Sequence, residues 1–241
     1  MKIEVWAHRG ASGYAPENTL PAFLKAYECG ADGVELDVQM TKDGQLVVIH
    51  DEMIDRTSDG KGLVCDYTFG QLRQFNFNQQ FPEYGKVLIP TLEEVLVLMK
   101  EKGMFVNIEL KTSIIFYEGI EEKVLKLVKD LDMEEQVIYS SFNHYSVVRM
   151  KELNPEAKCG LLYDDIPVNI CGYATKLGIE ALHPLVYTVR YPHFMNEAKK
   201  ANLDVNVWTV NEPRDIQLSI DAGVHAIITN YPDRVKTMLK N

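Results

Sequence analysis

The stretch Gly33-Val34-Glu35-Leu36-Asp37-Val38-Gln39-Met40-Thr41-Lys42-Asp43-Gly44-Gln45-Leu46-Val47-Val48-Ile49-His50 holds two strand-like runs separated by Thr41-Lys42-Asp43-Gly44-Gln45. A parallel crossover takes a dozen or more residues, so these runs cannot be parallel neighbours. Asp43-Gly44 in the gap is instead a hairpin signal. The first run must leave, turn near Asp43-Gly44 and return, which brings His50 back to about the level of Asp37. Glu35 and Asp37, two residues apart, point to one side of that run, while Val34, Leu36 and Val38 fill the other.

Further strand-like runs occur at residues 3–7, 104–110, 137–140, 158–162, 179–183, 204–208 and 226–229. Amphipathic helical patterns lie between most of them. Leu92, Val95, Leu96 and Met99 keep the spacing of one apolar helix face, as do Ile120, Val124, Leu127, Val128 and Leu131. Leu20, Phe23, Leu24 and Tyr27 form another such stripe, with Pro21 in its first turn and Asn18-Thr19 at the N-cap position before it. Gly30, Gly103, Gly178 and Gly223, and Asn202 once, stand just before a strand, where a short αβ loop needs a left-handed cap. Repeated strand and helix with such loops mean a parallel sheet. Setting the hairpin return aside reduces nine strand candidates to the eight of a closed barrel, and 241 residues is the usual barrel size. The expected architecture is an α/β (β/α)8 TIM barrel with a β-hairpin extension of strand 2.

Residues 51–90 break the rhythm and carry Tyr67, Phe69, Phe75, Phe77, Phe81 and Tyr84. The stretch is too long for an ordinary loop and reads as a small folded insertion capping the catalytic mouth. The expected organisation is a single catalytic domain over 1–241 with 51–90 as that insertion.

Composition narrows the function. At 46% hydrophobic and 25% charged, the chain is neither disordered nor fibrous. A net charge of −10 argues against nucleic acid as a partner and against docking on an anionic membrane through a basic patch. A local cluster can still oppose the global sign and bind a small anion. Cys29, Cys65, Cys159 and Cys171 show no metal-binding spacing and read as reduced, structural thiols. The apolar character of the N-terminus stops at His8, too soon for a signal-peptide core, and no apolar run approaches a membrane span. The expectation is a soluble cytoplasmic protein, with no signal for oligomeric state.

Barrel enzymes act at the carboxyl ends of their strands. There the chain places His8-Arg9-Gly10, then Glu35 and Asp37, His50-Asp51, Glu109 and Lys111, Trp208, and Thr229-Asn230. Three inward carboxylates repel one another unless a cation joins them, and oxygen ligation without a nearby Cys suits Mg²⁺ or Ca²⁺. Glu35, Asp37 and Glu109, one divalent cation, Arg9 and Lys111 leave one net positive charge, which a singly charged phosphodiester would neutralise. Without a metal, Glu109 and Lys111 read as a same-face ion pair. Histidines titrate near neutrality, so of His8 and His50 one can act as base and the other as acid.

His8-Arg9-Gly10, Pro16-Glu17-Asn18-Thr19, Gly33-Val34-Glu35-Leu36-Asp37-Val38, His50-Asp51, Glu109-Leu110-Lys111, Trp208 and Thr229-Asn230, in this order, resemble the glycerophosphodiester phosphodiesterases, in particular the shorter cytosolic bacterial members. The resemblance implies one divalent cation, Mg²⁺ or Ca²⁺, held by Glu35, Asp37 and Glu109, with His8 and His50 as the acid–base pair. It implies Arg9 and Lys111 on the phosphoryl oxygens. The implied substrates are small glycerophosphodiesters such as glycerophosphoethanolamine and glycerophosphocholine, cleaved to sn-glycerol 3-phosphate and an alcohol. Trp208, at a strand end, is expected to pack on the glycerol moiety, and Glu17 and Asn18 to shape the loop behind Arg9 without touching substrate. A related barrel phosphodiesterase for lysophospholipids or inositol phospholipids would share these residues and add an exposed apolar track, which the sequence does not plainly show. An inactive binding barrel would lack a histidine or a carboxylate of the set, and none is missing. His144 is expected to begin a helix, and His183, ending a strand, to reach towards the rim without a role.

Overall fold

Strands buried on both faces read as near-continuous apolar runs, and this chain alternates such runs with half-apolar helices. The computed structural model describes residues 2–240. Its strands are β1 (Glu4–His8), β2 (Gly33–Met40), β3 (Leu46–Val48), β4 (Phe105–Leu110), β5 (Val137–Ser141), β6 (Cys159–Tyr163), β7 (Ala181–Pro184), β8 (Asp204–Val207) and β9 (Ala226–Thr229). Helices α1 (Leu20–Glu28), α2 (Phe69–Leu72), α3 (Leu92–Lys102), α4 (Ile120–Asp130), α5 (His144–Leu153), α6 (Ile170–Leu177), α7 (Phe194–Lys200), α8 (Pro213–Ala222) and α9 (Pro232–Met238) connect them. The strand order β1-β9-β8-β7-β6-β5-β4-β2, closed by β1 on β2, is an eight-stranded parallel barrel. β3 lies outside it, antiparallel to β2.

The hairpin has the expected register. Val38 faces Val48, Gln39 faces Val47, and the Ile49 amide donates to the Asp37 carbonyl at 2.9 Å. His50 therefore arrives beside the carboxyl end of β2, and Gly44 takes the positive φ of +78° that the turn requires.

Outward-facing Val5, Ala7, Val34, Leu36, Val106 and Ile108 bury against the helix layer in the main core. Inside the barrel, Trp6, Phe105, Ile138, Ala181 and Ala226 close the lower part, with Trp6 stacked on Phe105 at 5.1 Å between centroids. α3 buries the predicted Leu92, Val95, Leu96 and Met99. In α1 the buried face is Ala22, Phe23 and Ala26, whereas Leu24 and Tyr27 of the expected stripe are exposed. Small residues win there because the β1–α1 loop lies against the helix. A Cβ on Gly10 would stand 2.6 Å from the Ala22 carbonyl carbon.

Residues 51–90 contain short 3₁₀ turns at Ile54–Arg56, Val64–Asp66 and Pro82–Tyr84, besides α2. Ile54, Val64, Leu72, Phe77 and Ile89 bury one another together with Val47 and Ile49 of the hairpin return. Tyr67, Phe69 and Phe75 pack on this cluster, while Tyr84 reaches back and donates its hydroxyl to the Tyr14 carbonyl at 3.1 Å. Among the described residues no helix is long and apolar enough to cross a membrane.

Candidate active site

β2 and β4 run side by side with Glu35 opposite Asn107 and Asp37 opposite Glu109, so the two-residue spacing on each strand stacks four polar groups on the inner face. Glu35, Asp37 and Glu109 are 4%, 1% and 8% exposed, and an oxygen from each lies within 4.8 Å of the others. Burial raises the Glu35 carboxyl well above the ordinary range, and the charges of Asp37 and Glu109 push it further. Glu109 shifts upward for the same reasons, burial first and then Asp37. Burial opposes the Asp37 charge as well, but Arg9, His50, Lys111 and the Asn18 amide outweigh it and hold that carboxyl far below its usual value. Oxygens around one cation at 2.3–2.6 Å span about this separation, and Asp37 Oδ1 is buried with no hydrogen-bond partner. The residues therefore fit a hard divalent cation.

Each histidine is held through Nδ1. At the end of β1, His8 Nδ1 donates to Asn230 Oδ1 at 2.7 Å, which leaves Nε2 as the acceptor. Burial, then the neighbouring Arg9 charge, pulls His8 down to about 4 against the Asn230 bond and the carboxylates of Asp37 and Glu17, so the ring is neutral. His50 Nδ1 lies 2.6 Å from Asp51 Oδ1. Gln39 fixes the backbone there, its Nε2 reaching the carbonyls of Ile49, His50 and Asp51 at 3.2, 3.0 and 2.8 Å. Gln39 Oε1 in turn accepts from the Tyr117 hydroxyl at 2.8 Å.

Arg9 adopts a left-handed backbone, φ 55°, which turns its amide onto Glu35 Oε2 at 2.9 Å. Its guanidinium donates to Glu17 Oε1 at 2.9 Å and approaches Asp37 Oδ2 at 3.4 Å. Lys111 Nζ sits 2.9 Å from Glu109 Oε1 and 3.9 Å from Asp37 Oδ1. Asn18, also left-handed, points its Nδ2 at Asp37 Oδ2, 2.8 Å away. Thr19 holds the N-cap position, yet its hydroxyl donates to the Pro16 carbonyl and leaves the helix uncapped by a side chain.

A cavity joins these groups to an apolar wall. His8, Arg9, Glu35, His50, Asn107 and Glu109 line one side; Phe142, Leu162, Trp208 and Ile228 line the other. Trp208 follows β8, donates Nε1–H to the His183 carbonyl at 2.8 Å and meets Phe142 edge-on at 5.4 Å.

His183 does not reach the rim. It is fully buried inside the barrel, its Nε2 2.9 Å from Asn206 Nδ2, because as an inward residue of β7 it points into the closed interior. His144 does begin α5, capped by Asn143. Sequence reasoning passed over Gln39, Asn107, Phe142 and Arg56. Gln39 continues the Glu35–Asp37 alternation and Asn107 precedes Glu109 by two, so strand parity alone marks both. Arg56 lies in the irregular segment, where no period exists to single it out.

Residues 8–234 match the model of the glycerophosphoryl diester phosphodiesterase family. A glycerophosphodiester phosphodiesterase of Caldanaerobacter subterraneus subsp. tengcongensis is 44% identical over 241 residues, covering 100% of this chain and 99% of that one. One from Bacillus altitudinis is 41% identical over 234 residues, 96% of each chain. Among solved structures, an Oleispira antarctica phosphodiesterase in complex with the product sn-glycerol-3-phosphate has a TM-score of 0.89 at 31% identity, covering 99% of this chain and 97% of that one.

Proposed function

Since the chain belongs to the glycerophosphoryl diester phosphodiesterase family, we propose that its barrel mouth hydrolyses small glycerophosphodiesters, with a divalent cation and a histidine pair, to sn-glycerol 3-phosphate and an alcohol. It is an enzyme of that class, a glycerophosphodiester phosphodiesterase. The observation that carries the finer reading is the buried Glu35–Asp37–Glu109 set flanked by two histidines, each anchored through Nδ1. The Oleispira antarctica enzyme holds the same product, which supports sn-glycerol 3-phosphate as the product here.

Glu35, Asp37 and Glu109 would hold Mg²⁺ or Ca²⁺, which when bound polarises a phosphoryl oxygen and supplies a binding point for a glycerol hydroxyl. Arg9 and Lys111 orient the phosphoryl oxygens by charge. His8, neutral and with Nε2 unoccupied, takes the proton of the nucleophile. As the P–O bond to the alcohol breaks, His50 gives its Nε2 proton to the leaving oxygen, with Asp51 holding the ring through Nδ1. Trp208 packs on the glycerol carbons, and Glu17 and Asn18 hold Arg9 and Asp37 in place. Residues 51–90 act as a capping part of one catalytic domain, a reading supported by their packing on Val47 and Ile49. A cytoplasmic location and a water-soluble substrate agree with the acidic surface.

A second reading has an observation of its own. Ile114, Phe116, Tyr145, Ile166, Val168 and Tyr187 are exposed at or beside the loops after β4, β5, β6 and β7, the side of the mouth that carries Phe142. A lysophospholipid chain needs exposed apolar residues of this kind beside the mouth.

The test is sn-glycerol 3-phosphate release by metal-stripped protein from glycerophosphocholine and glycerophosphoethanolamine, with Mg²⁺, Ca²⁺ or Mn²⁺ returned singly. Release only with metal supports the proposal. No release from folded protein with any cation, together with turnover of a lysophospholipid, would move the substrate to the second reading. A cyclic glycerophosphate trapped on the way would exclude direct water attack as the sole route.

A further inference from the structure

Arg56 sits on the first 3₁₀ turn after the hairpin, and its guanidinium is shared by two carboxylates. Nε and Nη2 donate to Asp51 Oδ2 and Oδ1 at 2.7 and 3.0 Å. Nη1 and Nη2 donate to Glu17 Oε2 and Oε1 at 2.7 and 2.8 Å. Each carboxylate has one further duty. Asp51 receives His50 Nδ1 at 2.6 Å, and Glu17 receives Arg9 Nη1 at 2.9 Å. A continuous chain His50–Asp51–Arg56–Glu17–Arg9 thus ties the return of the β2–β3 hairpin to the loop after β1.

We propose that Arg56 is a positioning residue that holds His50 and Arg9 in register with each other through its two-sided clamp on Asp51 and Glu17. The proposal rests on the roles given above to His50 and Arg9. The planar fork is what the geometry needs. Only a guanidinium presents two bidentate edges at once, and a Lys ammonium, being a point charge, cannot meet both carboxylates in this way. Removing the fork leaves Asp51 and Glu17 as neighbouring like charges, free to swing apart and take the His50 ring and the Arg9 head with them. A shift of the order of 1 Å in a reacting group costs about 10²-fold in rate. Arg56 itself is 39% exposed in its side chain, so the main effect of losing it falls on this alignment and not on the core.

The experiment measures kcat and KM for glycerophosphocholine with metal-loaded wild type and the variants R56M, R56K, D51N, the double R56M/D51N, and H50A as control. The expected result is a kcat lower by about 10- to 100-fold in R56M, with KM changed less than kcat, and a smaller loss in R56K. The double variant should lose less than the product of the two single losses, since both substitutions cut the arm that reaches His50. Wild-type kcat in R56M alongside an inactive H50A overturns the proposal while leaving the histidine reading intact. Losses that multiply fully in the double variant overturn it too, because Arg56 would then act elsewhere. Full activity in H50A would instead defeat the histidine reading beneath it. If R56M does not fold, R56K and E17Q each remove one arm of the clamp, and wild-type kcat in both overturns the proposal.

Discussion

Gly160 on β6 and His183 on β7 face each other inside the barrel so closely that a Cβ on Gly160 would stand 2.4 Å from His183 Nε2. That ring nitrogen already accepts from the Asn206 amide at 2.9 Å, and the imidazole is fully buried, so it has nowhere to move. The missing side chain of one strand is therefore the space occupied by the ring of the next. Gly160→Ala should destabilise the fold by about 1–3 kcal/mol through overpacking. Urea unfolding would measure it, and the same substitution should cost much less when made in a His183→Ala background. An equal cost there would locate the strain elsewhere.

His183 also predicts how the fold responds to acid. Burial, with a smaller push from His225, lowers it to about 3 from 6.5. Between those values the unfolded chain binds a proton that the folded chain does not, so stability rises with pH across the window and falls as pH drops below 6.5. The slope from this one group is up to about 1.4 kcal/mol per pH unit. His183→Gln should flatten unfolding free energy against pH between roughly 6 and 4 relative to wild type. An unchanged slope would mean the ring is protonated in the fold.

The raised carboxyls of Glu35 and Glu109 make the opposite prediction for the metal-free protein. Burial and the charges of Asp37 and Glu109 raise Glu35, so the folded state holds a proton that the unfolded chain has released, and stability falls as pH rises above the ordinary carboxylate range. Glu35→Gln should be at least as heat-stable as wild type in EDTA at neutral pH. Added Mg²⁺ or Ca²⁺ should raise the melting temperature of wild type and leave that of Glu35→Gln nearly unmoved. A variant that responds to cation as wild type does would remove Glu35 from the ligand set.

The two histidines are anchored to different partners, an amide for His8 and a carboxylate for His50. Each alanine variant should lose about 10²–10⁴ in turnover on natural diesters. With a p-nitrophenyl leaving group, which needs no proton, His50→Ala should recover while His8→Ala stays slow. Recovery of His8→Ala instead would exchange the two roles.

Phe116 and Val168 are 77% and 97% exposed on the apolar side of the mouth. Replacing both with Ser should leave glycerophosphocholine turnover unchanged and lower turnover of a lysophospholipid several-fold if a chain lies along them. Equal effects on the two substrates would deny the rim that use.

Much of this was legible because the barrel imposes parity. Once Thr41–Gln45 was recognised as too short for a crossover, the strand count, the closure and the inward set Glu35, Asp37 and Glu109 all followed from period two. The partner of Asn18 and the role of Arg56 were not legible. Asn18 has the sequence context of a helix cap, and only a left-handed backbone turns its amide onto Asp37. Arg56 finds its partners 5 and 39 residues away along a path without periodicity. α1 misled for a related reason, since which side of a helix is buried depends on how closely the neighbouring loop approaches.

The acid–base pair, the carboxylates and the cations proposed to act on substrate all come from the first four strands in chain order or the residues just after them, from His8 to Lys111. The wall opposite is built by Phe142 and Trp208 just after β5 and β8, Leu162 on β6 and Ile228 on β9, none of them among those groups. The proposed reaction thus draws its groups from one half of the barrel and its apolar wall from the other. The end of β5 and the loop after it are bonded to both neighbours of Lys111, Ser141 Oγ to the Leu110 carbonyl and Asn143 Nδ2 to the Thr112 carbonyl, so the loops after β6, β7 and β8 are the natural place to graft a new leaving-group preference.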